Sequence, residues 1–162
     1  MSILMKAVKA GDAEKVKAVL AEGADVSALD ESGDSPIIMA AYHGFTDVLQ
    51  LLLEAGADVS ALDPGMKATA LHAAAYAGHA EAARLLTEYG IDLDRQGPYN
   101  GYTALHDAVW QNNVDVVRVL IAAGANGSIT SHEGQTPLDF ARAKNRKHIV
   151  ALLESKERPA AE

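Results

Sequence analysis

Histidine and carboxylate side chains are the groups in this sequence that could do chemistry, and their spacing decides which. The chain carries six His and 22 Asp and Glu. A zinc site needs ligand atoms all about 2 Å from one ion. His72 and His106 each close the same tetrapeptide, Thr-Ala-Leu-His, in consecutive units of the chain. Equivalent positions in successive units lie one unit apart, too far to share a metal, and both read as structural histidines holding a turn to a helix. His79 follows Gly78 and is expected to cap or bridge that turn. His43 has Asp34 as a conceivable partner, whereas His132 and His148 have none in evident register. Asp107 stands beside His106, but neighbours on a helix point about 100° apart and do not face one substrate. No HExxH, GxSxG, Walker A or GxGxxG motif and no EF-hand spacing occurs. The absence of cysteine removes disulfides, thiolate zinc sites, iron–sulfur clusters and cysteine nucleophiles, without identifying a compartment. No enzyme activity, cofactor or metal is expected.

The elements that must position these groups come from a chain of 162 residues, 49% apolar, enough for a sizeable core in one domain. Its formal charge is -8 and no Lys/Arg cluster offsets it. Nucleic acid and anionic membrane surfaces are therefore disfavoured as partners. The N-terminal apolar stretch is broken by Lys6 and Lys9, unlike a secretory signal. The longest apolar run, Pro36 to Tyr42, is a fraction of the length a membrane-spanning helix needs. A cytoplasmic location is the default expectation.

Three marks recur in register along the chain, with a period of about 33 residues. The first is Ser-Pro-Ile-Ile at 35, Thr-Ala-Leu-His at 69 and 103, and Thr-Pro-Leu-Asp at 136. The second closes each unit: GADV at 23 and 56, GIDL at 90, GANG at 124. The third falls between them, at Gly11, Gly44, Gly78, Asn112 and Asn145. Ser35, Thr69, Thr103 and Thr136 sit where helix N-caps belong, with Pro36 and Pro137 at the first helical position. A short first helix of about eight residues carries small side chains such as Ala73, Ala74 and Ala75. A second carries larger ones, Val48, Leu49, Leu52 and Leu53 in one unit, Val116, Val117, Leu120 and Ile121 in another. Gly23, Gly56, Gly90 and Gly124 supply the positive φ that ends these second helices. Each unit has a face it cannot bury alone, so the units must stack.

This pattern resembles the ankyrin repeat, a turn plus two helices with T-P-L-H-x-A. The resemblance covers nearly the whole chain. It implies an all-α solenoid of helix-turn-helix units joined by β-hairpin loops, five repeats including two caps, at about 1–31, 32–65, 66–98, 99–132 and 133–155, with a polar tail over 156–162. Ile38 and Asp139 replace the signature histidine, so turn-to-helix bonding should be weaker in those units. The loops holding DPGMK and RQGPYNGY are each one residue longer than the others, measured from Gly to Thr, and should project differently.

The resemblance further implies protein binding through a concave face made of loop tips and the exposed residues of the first helices. Carried onto this chain, that face holds Tyr42 and His43, Tyr76, Trp110 and Gln111, and Lys144, with Tyr99 and Tyr102 on the longer third loop. Tyr42, Tyr76 and Trp110 recur once per unit and should form a ladder with rungs about 10 Å apart. The same rings could instead pack inward and seal the core. Asp34, with Asp30, Glu31, Asp63, Asp94, Asp107 and Glu133, lies on the loop side and would steer a basic protein or peptide toward the groove, unless it is simply solvated surface. The leading expectation is a monomeric adaptor or inhibitor. The alternatives are self-association through the caps or convex face, with Ile3, Leu4 and Met5 as an apolar edge, and small-molecule recognition in the groove.

Overall fold

The computed structural model describes residues 1–157. Among the described residues ten helices follow one another: α1 (Ile3–Ala10), α2 (Ala13–Ala21), α3 (Pro36–His43), α4 (Thr46–Glu54), α5 (Ala70–Ala77), α6 (Ala80–Glu88), α7 (Ala104–Trp110), α8 (Val114–Ala123), α9 (Pro137–Ala143) and α10 (Lys147–Glu157). They pair into five antiparallel units. The odd helices pack on one another in chain order to form one layer and the even helices form the other. The core lies between the layers.

Local chemistry explains where each helix begins. The hydroxyls of Ser35, Thr69, Thr103 and Thr136 accept hydrogen bonds from the backbone N–H three residues on, at the starts of α3, α5, α7 and α9. Small residues in the first helices (Ala40, Ala41, Ala74, Ala75, Ala108, Ala141) are fully buried, which lets the odd helices approach closely. Larger side chains of the second helices, Leu49, Leu52, Leu86 and Leu120, fill the space beside them.

The turn between the two helices of a unit also locks that unit to its predecessor. Gly78 ends α5 in the left-handed conformation, φ +85°, and Asn112 and Asn145 take the same conformation in later units. The next residue reaches backwards. Asn113 Nδ2 donates to the carbonyls of Ala75 (2.7 Å) and Tyr76 (3.3 Å), satisfying the exposed end of α5. Arg146 does the same for the Trp110 carbonyl at 3.1 Å, and His79 lies against Gly44. A Cβ on Gly78 would meet Asn113 Oδ1 at 3.0 Å. Gly78→Ala combines that crowding with a strained φ and is expected to cost about 1–2 kcal/mol. A urea midpoint equal to that of the parent chain would refute it.

Several expectations need correction. The inter-unit loops are not β-hairpins, for no strand forms among the described residues. Each loop is closed by side chains instead of a ladder. The Asp30 carboxylate accepts from the N–H of Ser32 and Asp34, and Asp63 from those of Gly65, Met66 and Ala68. Backbone pairing between loop arms is limited to isolated bonds such as Asp63 N–H to the Ala68 carbonyl at 2.8 Å and Gly97 N–H to the Tyr102 carbonyl at 2.9 Å. In the later loops Asn100 Oδ1 accepts from Tyr102 N–H and Ser131 Oγ from Gln135 N–H, and arms this short, capped by side chains, leave no length for a ladder. The apolar N-terminal edge is also smaller than expected: with α1 packed on α2 and α3, Leu4 and Met5 are buried, and of the three only Ile3, 62% exposed, faces outward. Of the polar tail expected over 156–162, Lys156 and Glu157 close α10, and Lys156 Nζ donates to the Ala125 carbonyl. The remainder lies outside the described residues.

Candidate functional site

His72 and His106 do not face a substrate. They bolt successive units together. The His72 imidazole accepts at Nδ1 from the Thr69 hydroxyl (2.9 Å) and backbone N–H (3.3 Å), while Nε2 donates to the Tyr102 carbonyl of the next unit at 3.1 Å. A carbonyl can only accept, so Nε2 carries a proton, and Nδ1, which accepts from the Thr69 N–H, carries none; the ring is neutral. His106 repeats the pattern with Thr103 (2.9 and 3.1 Å) and the Gln135 carbonyl (2.9 Å). Burial holds both imidazoles below the ordinary histidine pKa, although the carbonyl bonds oppose it. In α9, Asp139 keeps the local half of this device, accepting from Thr136 N–H at 2.8 Å. A carboxylate has no proton to donate to a following loop. Ile38 supplies neither half, so in α3 the cap rests on Ser35 alone.

The first-helix layer and the loops enclose an open groove of about 500 Å³ that runs across three units. Tyr42, Tyr76 and Trp110 stand along it, 48%, 53% and 42% exposed, so these rings are not core. Tyr99, on the longer loop before α7, is exposed at its rim. Tyr102 takes a different position. It is half-buried, stacked on His106 (5.5 Å between centroids) and packed edge-on to Phe140 (5.0 Å), so it forms a wall. Burial, then Glu133 and Asp107, push its phenol pKa up.

The remaining expected site residues are less coherent. Asp34 lines the groove, half-buried. His43 makes no ion pair with it; the imidazole stacks on Phe45 at 5.4 Å and lies outside the groove lining. Gln111 caps the end of α7, half-buried and away from the lining. Lys144 sits with Nζ 3.7 Å from the Trp110 ring centre, a cation–π contact that occupies part of that ring. Two methionines of the lining escaped the sequence reading. Met39 follows the position of the missing histidine, and Met66 is carried into place by the one-residue extension at DPGMK. The second had a signal in the loop length, the first had none.

Asp107 is the electrostatic outlier of the groove. Its carboxylate is half-buried, and among the described residues no hydrogen bond or ion pair reaches it. Burial alone raises its pKa to about 7. Asp34 and Asp63 share the groove, yet among the described residues no Lys or Arg lines it. Among the described residues no group of three His, Asp or Glu could hold a metal ion, and no helix is long and apolar enough to cross a membrane.

A stack of paired helices, with an open groove along one layer and histidines satisfied by their own neighbours, defines a repeat scaffold. The family model for ankyrin repeats (3 copies) matches residues 1–63, 56–131 and 100–161, and the chain belongs to the ankyrin repeat family. No curated protein sequence matches it significantly. It is an all-helical repeat module, consistent with protein–protein interaction.

Proposed function

We propose that this protein is a monomeric adaptor or inhibitor that captures an extended, basic segment of a partner protein in the groove of its three central units. One observation carries the reading: the groove combines four exposed aromatic rings with three carboxylates, and no Lys or Arg among the described residues lines it. Rings of this kind bury large area at low ordering cost. The unbalanced carboxylates favour a cationic chain over a neutral or acidic one. The stacked units hold these groups in place before the partner arrives, which reduces the entropy lost on binding.

Panning a random peptide library against the native chain and against a Tyr42→Ala/Tyr76→Ala/Trp110→Ala variant tests the proposal. Circular dichroism first establishes that the variant is folded, as expected for exposed rings. The native chain should enrich peptides of net positive charge, and the variant should lose them by at least about tenfold. Equal enrichment by both proteins, or enrichment without a charge preference, would sink the reading. The groove volume also suits a small aromatic cation. Its open ends, spanning three units, favour a chain that passes through.

A further inference from the structure

Within that groove, and resting on the reading of it as a peptide site, the three carboxylates are not equivalent. Asp63 is consumed by its own loop, accepting from three backbone N–H groups. Asp34 lies near Lys9, which it helps to hold protonated. Among the described residues neither Asp34 nor Asp107 accepts a side-chain hydrogen bond or forms an ion pair, but Asp107 also lacks a neighbouring cation, and its surroundings are aromatic: Tyr102 beside it, Trp110 one turn further along α7, and Tyr76 on the adjoining α5. Burying a carboxylate without a counter-charge is unfavourable. A cation arriving between these rings would reverse that penalty and gain from the ring faces at once. The chain already uses Trp110 in this way, since Lys144 places its ammonium over the indole.

We infer that Asp107, flanked by Tyr76, Tyr102 and Trp110, is the recognition subsite for one arginine side chain of the bound segment. The guanidinium suits this site better than an ammonium. It is planar, stacks on aromatic faces, is weakly hydrated and pairs with a carboxylate through two parallel N–H donors. Ammonium groups are more strongly hydrated and offer a point charge only. The other ionisable groups around the subsite leave the role to Asp107. His72 on α5 and His106 on α7 are neutral and committed to inter-unit bonds, and the Tyr102 phenol is held above its ordinary value. Glu133 and Lys144 belong to the last unit, the second of them spent on Trp110.

The test is an NMR titration of the whole chain with three blocked tripeptides, acetyl-Gly-Xaa-Gly-amide, in which Xaa is arginine, lysine or citrulline. The arginine probe is expected to shift the Trp110 indole and the Asp107 and Tyr76 resonances and to bind at least about tenfold tighter than neutral citrulline. Its affinity should rise about tenfold from pH 6 to pH 8 as the carboxylate ionises. Asp107→Asn should abolish both the preference and the pH dependence, whereas Tyr89→Ala, an exposed ring at the end of α6 outside the groove lining, should leave them within about twofold. Equal binding of citrulline, equal binding of lysine, or an Asp107→Asn variant that binds arginine unchanged would each overturn the assignment. If arginine shifts only the Tyr42 and Asp34 end, the subsite is wrong while the groove stands. If no groove resonance moves with any probe while the library selection succeeds, the assignment fails alone; if both fail, the groove reading goes with it.

Discussion

Replacing His106 with alanine is expected to lower stability by about 3 kcal/mol, a large fraction of what a domain of this size holds. The imidazole is fully buried and serves two units at once. Its loss leaves the Thr103 N–H and the Gln135 carbonyl short of partners and opens a void beside Phe140, whose ring lies 5.1 Å from it. Because neighbouring units are coupled only through their shared interface, α9 and α10 should unfold first. Trp110, the single tryptophan, reports on that interface through its packing on Phe140 at 5.7 Å and its bond to Arg146. The measurement is urea unfolding followed by tryptophan fluorescence and by circular dichroism, whose transitions should separate in the variant. His106→Asn offers a control. It keeps an acceptor for the Thr103 N–H but is too short to reach Gln135, so about half the loss is expected. An alanine variant within about 0.5 kcal/mol of the parent would show that the inter-unit bond contributes little.

The histidine also carries a pH signature. Its folded pKa lies below the ordinary value of 6.5, so on acidification the unfolded chain takes up the proton first. Its stabilising contribution is present above about pH 6.5 and is lost as the pH falls toward the depressed folded value. His106→Ala should flatten that part of the acid slope, leaving the share due to His72.

Asp107→Asn is expected to act in the opposite sense, raising stability at pH 8 by about 2 kcal/mol. The folded pKa of about 7 stands well above the unfolded value of 3.8. At about 1.4 kcal/mol for each pH unit between them, that difference would come to about 4 kcal/mol, and partial exposure to water reduces it to about half. Between about pH 4 and pH 7 the folded chain retains a proton that the unfolded chain has released, so stability falls as the pH rises through that window. Asparagine has no charge to bury. Its advantage should therefore be about 2 kcal/mol at pH 8 and under about 1 kcal/mol at pH 5, read from urea midpoints at the two values. A variant that is destabilised, or whose advantage is the same at both pH values, would show that burial of this carboxylate is not costly. A gain in stability coupled to a loss of arginine binding is the trade expected of a group held ready for a partner.

The stack and its period were legible because the signals are local. A hydroxyl at Thr69 caps the helix that starts at Ala70, and Gly78 turns the chain where a left-handed residue is needed, whatever the rest of the molecule does. The recurrence of Tyr42, Tyr76 and Trp110 followed from the same period, since equivalent positions in stacked units must line one face. What depended on neighbouring units was not legible. Leu4 and Met5 read as an open edge until the packed helices buried them, and the loops read as hairpins until polar side chains such as Asp30 and Asp63 closed them short of a ladder. Asp107 looked like an ordinary helix acid beside a histidine. Its raised pKa comes from burial, which the stacked units impose and the sequence position does not show. Helices, caps, period and family can all be read along the chain, because each rests on contacts within a few residues. Which carboxylate stands unpaired among the rings emerges only once the units are stacked, because burial belongs to the assembled layers and not to any one segment.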